Sequence, residues 1–154
     1  MIPAWRHFRK LPQLERSMFF RAVFLLPVTA CALCCIGLQK TKRLVGSGHN
    51  APRAIDDAAE EWRIAHAARR MTEAASRYGV VRGSCLSKSI VLGYLLRRQG
   101  LDATVHVGGR KEGRSFEAHA WVELDGRAVN DSEDVRGRFA PFEGQVNGAL
   151  NGEK

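Results

Sequence analysis

Apolar positions along this chain change their rhythm twice. From Ala22 to Leu38 seventeen residues pass without a charge; from Ile55 apolar residues recur at intervals of three and four; past Ala103 they fall on alternate positions. The first regime predicts two apolar helices, residues 12–26 and 28–44, divided by Pro27, which has no N–H to give a helical ladder. Pro12 suits an early helical turn and Glu15 the positive end of the dipole. Ser47, Gly48, His49 and Asn50 make a polar break. In the second regime Pro52, Asp56 and Asp57 open a helix whose apolar positions are Ile55, Ala58, Trp62, Ala65, Met71, Ala75 and Tyr78, with Gly79 as a left-handed stop. After a connector at 80–83, residues 85–99 read as another helix, with Leu86, Ile90, Leu92, Leu95 and Leu96 apolar and Gly100 as its stop.

The third regime predicts strands. Ala103, Val105 and Val107 alternate with Thr104 and His106, and Gly108-Gly109 is expected to begin a polar loop through Gly113. Residues 116–124 and 127–131 then form a hairpin about an Asp125-Gly126 turn. The organisation expected is an N-terminal helical segment over 1–50 packed on a core over 51–146, with a loose tail over 147–154.

Composition narrows the class. A hydrophobic fraction of 45% and a charged fraction of 26% match a folded globular domain and argue against disorder. The net charge of +8 is concentrated at the front: residues 1–50 hold eight Lys/Arg and one acid, the remainder sixteen and fifteen. That basic segment suits an anionic surface or an acidic peptide. It lacks interleaved aromatics and any nucleic-acid motif, so nucleic acid is not expected as a partner. Pro27, Thr29 and Gly37 weaken a membrane-spanning reading of the apolar run, although residues 1–44 remain suited to weak peripheral association with the inner membrane face. Val28-Thr29-Ala30-Cys31 has the form of a lipoprotein box, which keeps a membrane-associated, non-enzymatic module as a rival. The four cysteines make no disulfide framework: Cys31, Cys34 and Cys35 crowd one apolar stretch, where they read as buried small hydrophobes, and Cys85 stands alone. A cytoplasmic setting follows.

Cys85 falls at a helix start, where unsatisfied N–H groups and the dipole favour negative charge and face a developing oxyanion. His119 and Asp131 lie on the two hairpin strands, opposite or nearly opposite, with the register open by one residue. A carboxylate there would fix the imidazole tautomer and leave the other nitrogen for the thiol. Asp125 is the competing carboxylate, but its place in the turn suits the turn itself. Asn130 is expected on the opposite face, and Trp121 on the face of His119. His7, His49, His66 and His106 have no evident catalytic partner. No metal motif is present, Gly108-Gly109-Arg110-Lys111 is too short for a phosphate loop, and no cofactor is expected.

Together, Cys85-Leu86-x-x-Ser89, Leu95-Leu96-Arg97-Arg98-x-Gly100, Ala118-His119-Ala120-Trp121-Val122-Glu123, Asp125-Gly126 and Asn130-Asp131 resemble the transglutaminase-like lasso peptide maturation peptidases. Leu11-Pro12-x-x-Glu15-Arg16 and Leu25-Leu26-Pro27 resemble the N-terminal helices of that family. The resemblance implies an α+β, papain-like or transglutaminase-like core, with Cys85 as nucleophile, His119 as general base and then acid, and Asp131 as orienting carboxylate. It also implies cleavage of a ribosomal precursor at the leader–core junction, before an asparagine-synthetase-like cyclase closes the ring. The chain opens directly on the peptidase's own helices, which resembles the split form that works with a separate leader-binding protein. Hydrolysis, acyl transfer and deamidation share one acyl-enzyme, so a transglutaminase-like acyltransferase stays as the alternative.

Overall fold

The computed structural model describes residues 11–46 and 57–142. The break at 47–50, the helix start at Pro52 with Ile55 and Asp56, the basic residues Arg6, Arg9 and Lys10, His7, His49 and the tail from Asn147 lie outside them. Three long helices come first: α1 (Gln13–Gly46), α2 (Ala58–Tyr78) and α3 (Cys85–Arg98). Strands β1 (Ala103–Glu112), β2 (Ser115–Leu124) and β3 (Arg127–Ala128), a single turn α4 (Val135–Arg138), and β4 (Ala140–Pro141) follow. The sheet is antiparallel in the order β3-β2-β1-β4. Helices packed on such a sheet make this an α+β fold.

The expected pair of N-terminal helices is instead one run that passes through Pro27 and departs from helical geometry at Gly37, with φ 78° and ψ 174°. That conformation is open to glycine and closed to residues with a Cβ. The Thr41 hydroxyl donates to the Gly37 carbonyl at 2.8 Å and fastens the corner. Met18, Ala22 and Leu26, one turn apart, are 0–1% exposed and join Ile64, Ala68, Met71, Ile90, Leu92, Leu95, Val122 and Leu124 in the main core. On the outer side Phe20, Phe24, Val28, Cys31 and Cys35 are exposed. The three clustered cysteines are therefore helical, as expected, but face outward and are not buried. Within α1, residues 13–41 are long and apolar enough to cross a bilayer.

Helix α2 starts where Asp57 Oδ1 accepts from the Ala59 N–H at 2.9 Å. Gly79 ends it with φ −80°, not in the left-handed region. The demand for glycine is steric, since a Cβ there would stand 2.3 Å from the Ala75 carbonyl oxygen. The predicted loop at 108–113 is absent: β1 runs through both glycines to Glu112, paired with β2 from Ala103↔Leu124 to Glu112↔Ser115. Gly108 and Gly109 belong in the strand because close neighbours leave no room for side chains. A Cβ on Gly108 would meet the Ala140 carbonyl oxygen at 2.7 Å, and one on Gly109 the Phe116 ring at 2.4 Å. Asp125 (φ 50°) and Gly126 (φ 75°) close the next hairpin with two positive φ angles. Its second strand stops at Ala128 instead of reaching Asp131.

Candidate active site

Three contacts align α3 with the sheet. The Ser89 hydroxyl donates to the Ala120 carbonyl at 2.9 Å, Gly93 lies against Val105 so closely that a Cβ would be 2.6 Å from its Cγ2, and Arg97 Nη1 donates to the Ala103 carbonyl at 3.0 Å. Val105 is opposite Val122 and Ala103 opposite Leu124. Positions spaced by four on the helix thus keep step with positions spaced by two on β2, because four helical residues rise about 6 Å and two strand residues about 6.7 Å. Cys85 stands one helical turn before Ser89 along this stripe, at the first residue of α3.

The N-terminal end of α3 is well formed. Ser84 caps it by accepting from the Ser87 N–H at 3.2 Å, and no acidic residue stands in its first turn. Cys85 is half-buried, and its backbone N–H is among those a helix cannot satisfy internally.

His119 sits on the face of β2 that also carries Trp121 and Glu123, away from the main core. Its Nε2 meets Asp131 Oδ2 at 2.5 Å. The β2–β3 register, Glu123↔Ala128, would set Asp131 across from Ala120, one residue off His119. The chain closes that gap by leaving the ladder. Val129 N–H still donates to the Val122 carbonyl at 2.8 Å, but Val122 N–H donates to the side chain of Asn130 at 2.7 Å. Asn130 in turn donates to Ser89 Oγ at 3.1 Å. It therefore fastens the sheet edge to α3 and does not simply point to the opposite face.

Asp131 is held on both oxygens. Oδ1 accepts from the Ser132 N–H at 2.7 Å and from Arg138 Nη2 at 2.5 Å. Burial pushes this carboxyl up, but the hydrogen bonds from His119 and Ser132 and the nearby imidazole outweigh it and bring it below the usual carboxylate range. Phe139 lies 4.8 Å from the His119 ring and Trp121 6.4 Å from it. Trp121 is fully buried and gives its indole N–H to Glu123 Oε1 at 2.7 Å. Glu123, 4% exposed, also accepts from Arg136 at 2.7 and 2.5 Å and lies 3.3 Å from His106 Nε2. Burial raises its carboxyl and these donors more than reverse the rise. His106 stacks on Trp121 at 5.6 Å between ring centres.

The structure joins His119 directly to Asp131 and sets Cys85 at the first residue of α3. No hydrogen bond links Cys85 to the ring among the described residues. Asp125 stays in its turn, and His66 is exposed beside Trp62. Sequence reasoning missed Glu123, Ser132, Arg136, Arg138 and Phe139. Glu123 carried a signal, being an acid that shares a strand face with His119 and Trp121. The others lie in a segment without periodicity. No cluster of three or more potential metal ligands occurs among the described residues.

A transglutaminase-like superfamily model matches residues 25–143, from the middle of α1 past β4. The chain belongs to this superfamily. It is also distantly similar to the microcin J25-processing protein McjB of Escherichia coli, at 30% identity over 61 residues, 40% of this chain and 28% of that protein. No solved structure matches the chain.

Proposed function

We propose that this transglutaminase-like protein is a cysteine peptidase that removes the leader from a ribosomally made lasso peptide precursor, with Cys85, His119 and Asp131 as its triad. The observation that carries the reading is the His119–Asp131 pair, in a chain that also sets a half-buried cysteine at a helix N-terminus. Asp131 occupies Nε2, which leaves Nδ1 for the thiol. In the proposed reaction His119 takes the proton of Cys85 as sulfur attacks the scissile carbonyl. The oxyanion that forms faces the Cys85 N–H. The imidazolium then protonates the departing amine, and water activated by the same ring hydrolyses the thioester to free the leader carboxylate and regenerate the thiol.

Similarity to McjB, named for processing microcin J25, supports the substrate class. A separate leader-binding protein and a cyclase belong to the same proposal, as does a cytoplasmic setting. The outward stripe of Phe20, Phe24 and Val28, within a segment rich in cations, suits either docking of that leader-binding protein or weak membrane contact. The test is mass spectrometry of precursor incubated with this chain and a leader-binding partner. Released leader and core are expected with wild type and neither with Cys85→Ala.

Superfamily membership favours one competing reading, acyl transfer to an amine. Excess amine in the same assay separates the two: an amine adduct in place of a free leader carboxylate would replace hydrolysis with transfer. The lipoprotein reading has less support, because cleavage before Cys31 would remove Met18, Ala22, Leu26 and Thr29, all buried in the described fold.

A further inference from the structure

Strand β2 is paired along its whole length on the β1 side, but β3 covers its other side only at Glu123 and Leu124. Even-numbered residues of β2 direct their backbone groups to that second side, as Val122 shows by engaging Val129 and Asn130 there. Ala120 gives its carbonyl to Ser89. Beyond it, the N–H and C=O groups of Ala118 and Phe116 have no hydrogen-bond partner among the described residues, and both residues are exposed. The open edge therefore starts at Ala118, next to His119.

The side chains along this edge also form a surface. Ala118 and its cross-strand partner Gly109 carry little or no side chain. Phe116, 65% exposed, lies over Gly109 and stacks with Phe142, 41% exposed, at 6.3 Å between ring centres. An open strand edge beside an apolar platform, next to His119, fits an extended peptide better than a folded domain. An edge with Lys111 and Arg114 at its tip but Glu112 and Glu117 beside them shows no single sign of charge, so the backbone and the platform must supply the recognition.

We infer that the peptide substrate binds as an added β-strand on the open edge of β2 at Phe116 and Ala118, with one apolar side chain of its acyl half on the Phe116–Phe142 stack. This rests on the peptidase reading. The acyl half is assigned to the edge because it stays bonded to sulfur through both half-reactions, and strand pairing would hold the thioester in place for water. Twelve residues of this chain follow Phe142, and the same edge could take them instead; the test distinguishes the two occupants.

Tetrapeptidyl chloromethyl ketones, which form a C–S bond at Cys85 with loss of chloride, report the site without the natural precursor. Alkylation of Cys85 in the full-length wild-type chain is followed by mass analysis of its proteolytic peptide, which separates it from the exposed Cys31, Cys34 and Cys35, and is normalised to the rate of the same thiol with chloroacetamide. Methylating one backbone nitrogen of the probe at a time should slow alkylation about tenfold at alternate positions and little between them, since alternate amides of a strand point to the same neighbour. A probe with an apolar residue should outpace its serine counterpart at one position, and Phe116→Ser should remove that preference while sparing the N-methyl pattern. Equal rates for all N-methylated probes, or peptide probes no faster than chloroacetamide, would overturn the inference. So would a pattern that appears only after removal of residues 143–154, because the chain's own tail would then be the resident strand. An alternating pattern in a protein that leaves precursor intact would uphold the edge and refute the leader-peptidase reading.

Discussion

Asp131 and Asp125 are six residues apart, and their surroundings assign them different work. Asp125 holds a turn at φ 50°, whereas Asp131 meets His119, Ser132 and Arg138. Asp131→Asn should lower turnover by about two to four orders of magnitude, through loss of the imidazole tautomer and of the charge that stabilises imidazolium. Asp125→Asn should change it less than about threefold, since asparagine also accepts positive φ. Steady-state leader release measures both, and the reverse ranking would reassign the carboxylate. The His119–Asp131 pair and the helix start at Cys85 were legible in the sequence because strand, hairpin and helix start are local patterns. The Glu123–Arg136–Trp121 support beneath the histidine was not, because a buried ion pair formed across an irregular segment leaves no period. It has a titration signature. Glu123 and Asp131 both lie below the ordinary carboxylate range, so each contributes stability above an unfolded pKa of about 4. That contribution is lost as pH falls through the lower folded values. Thermal melts from pH 6 to 2 should show a steep acid-side loss, and Glu123→Gln should flatten it while lowering stability at pH 6.

At the scale of elements, α1 carries two opposed local signals. Proline marked the expected break, yet tertiary packing of Met18, Ala22 and Leu26 on one side of the helix carries it through Pro27, while the backbone turns at Gly37. Gly37→Ala meets no neighbouring atom within 4 Å, so its cost is conformational, about 1–3 kcal/mol. The Thr29 hydroxyl is buried without a hydrogen-bond partner among the described residues. Thr29→Val keeps its shape and removes that group, and should raise stability by about 1 kcal/mol. Urea unfolding of the two variants checks the opposite signs. The glycine pair in β1 misled in a similar way: Gly108-Gly109 has the composition of a loop, but the rings and carbonyls over those positions require glycine inside a strand. Local propensity located most of the elements, and long-range packing decided where they ended.

For the whole molecule, residues four apart on α3 meet Ala120 of β2 and Val105 and Ala103 of β1, and this fastens the helix that begins at Cys85 to the strand pair that carries His119. The superfamily match from residue 25 to 143 spans that entire arrangement. Residues 129–142 complete it by returning Asp131 and Phe139 to His119 and Arg138 to Asp131. The most direct measurement is intact-mass analysis of a lasso precursor incubated with a leader-binding partner and either wild-type chain or a folded Cys85→Ala variant. Leader and core released by wild type alone is the expected result; cleavage that persists in Cys85→Ala would contradict Cys85 as the nucleophile.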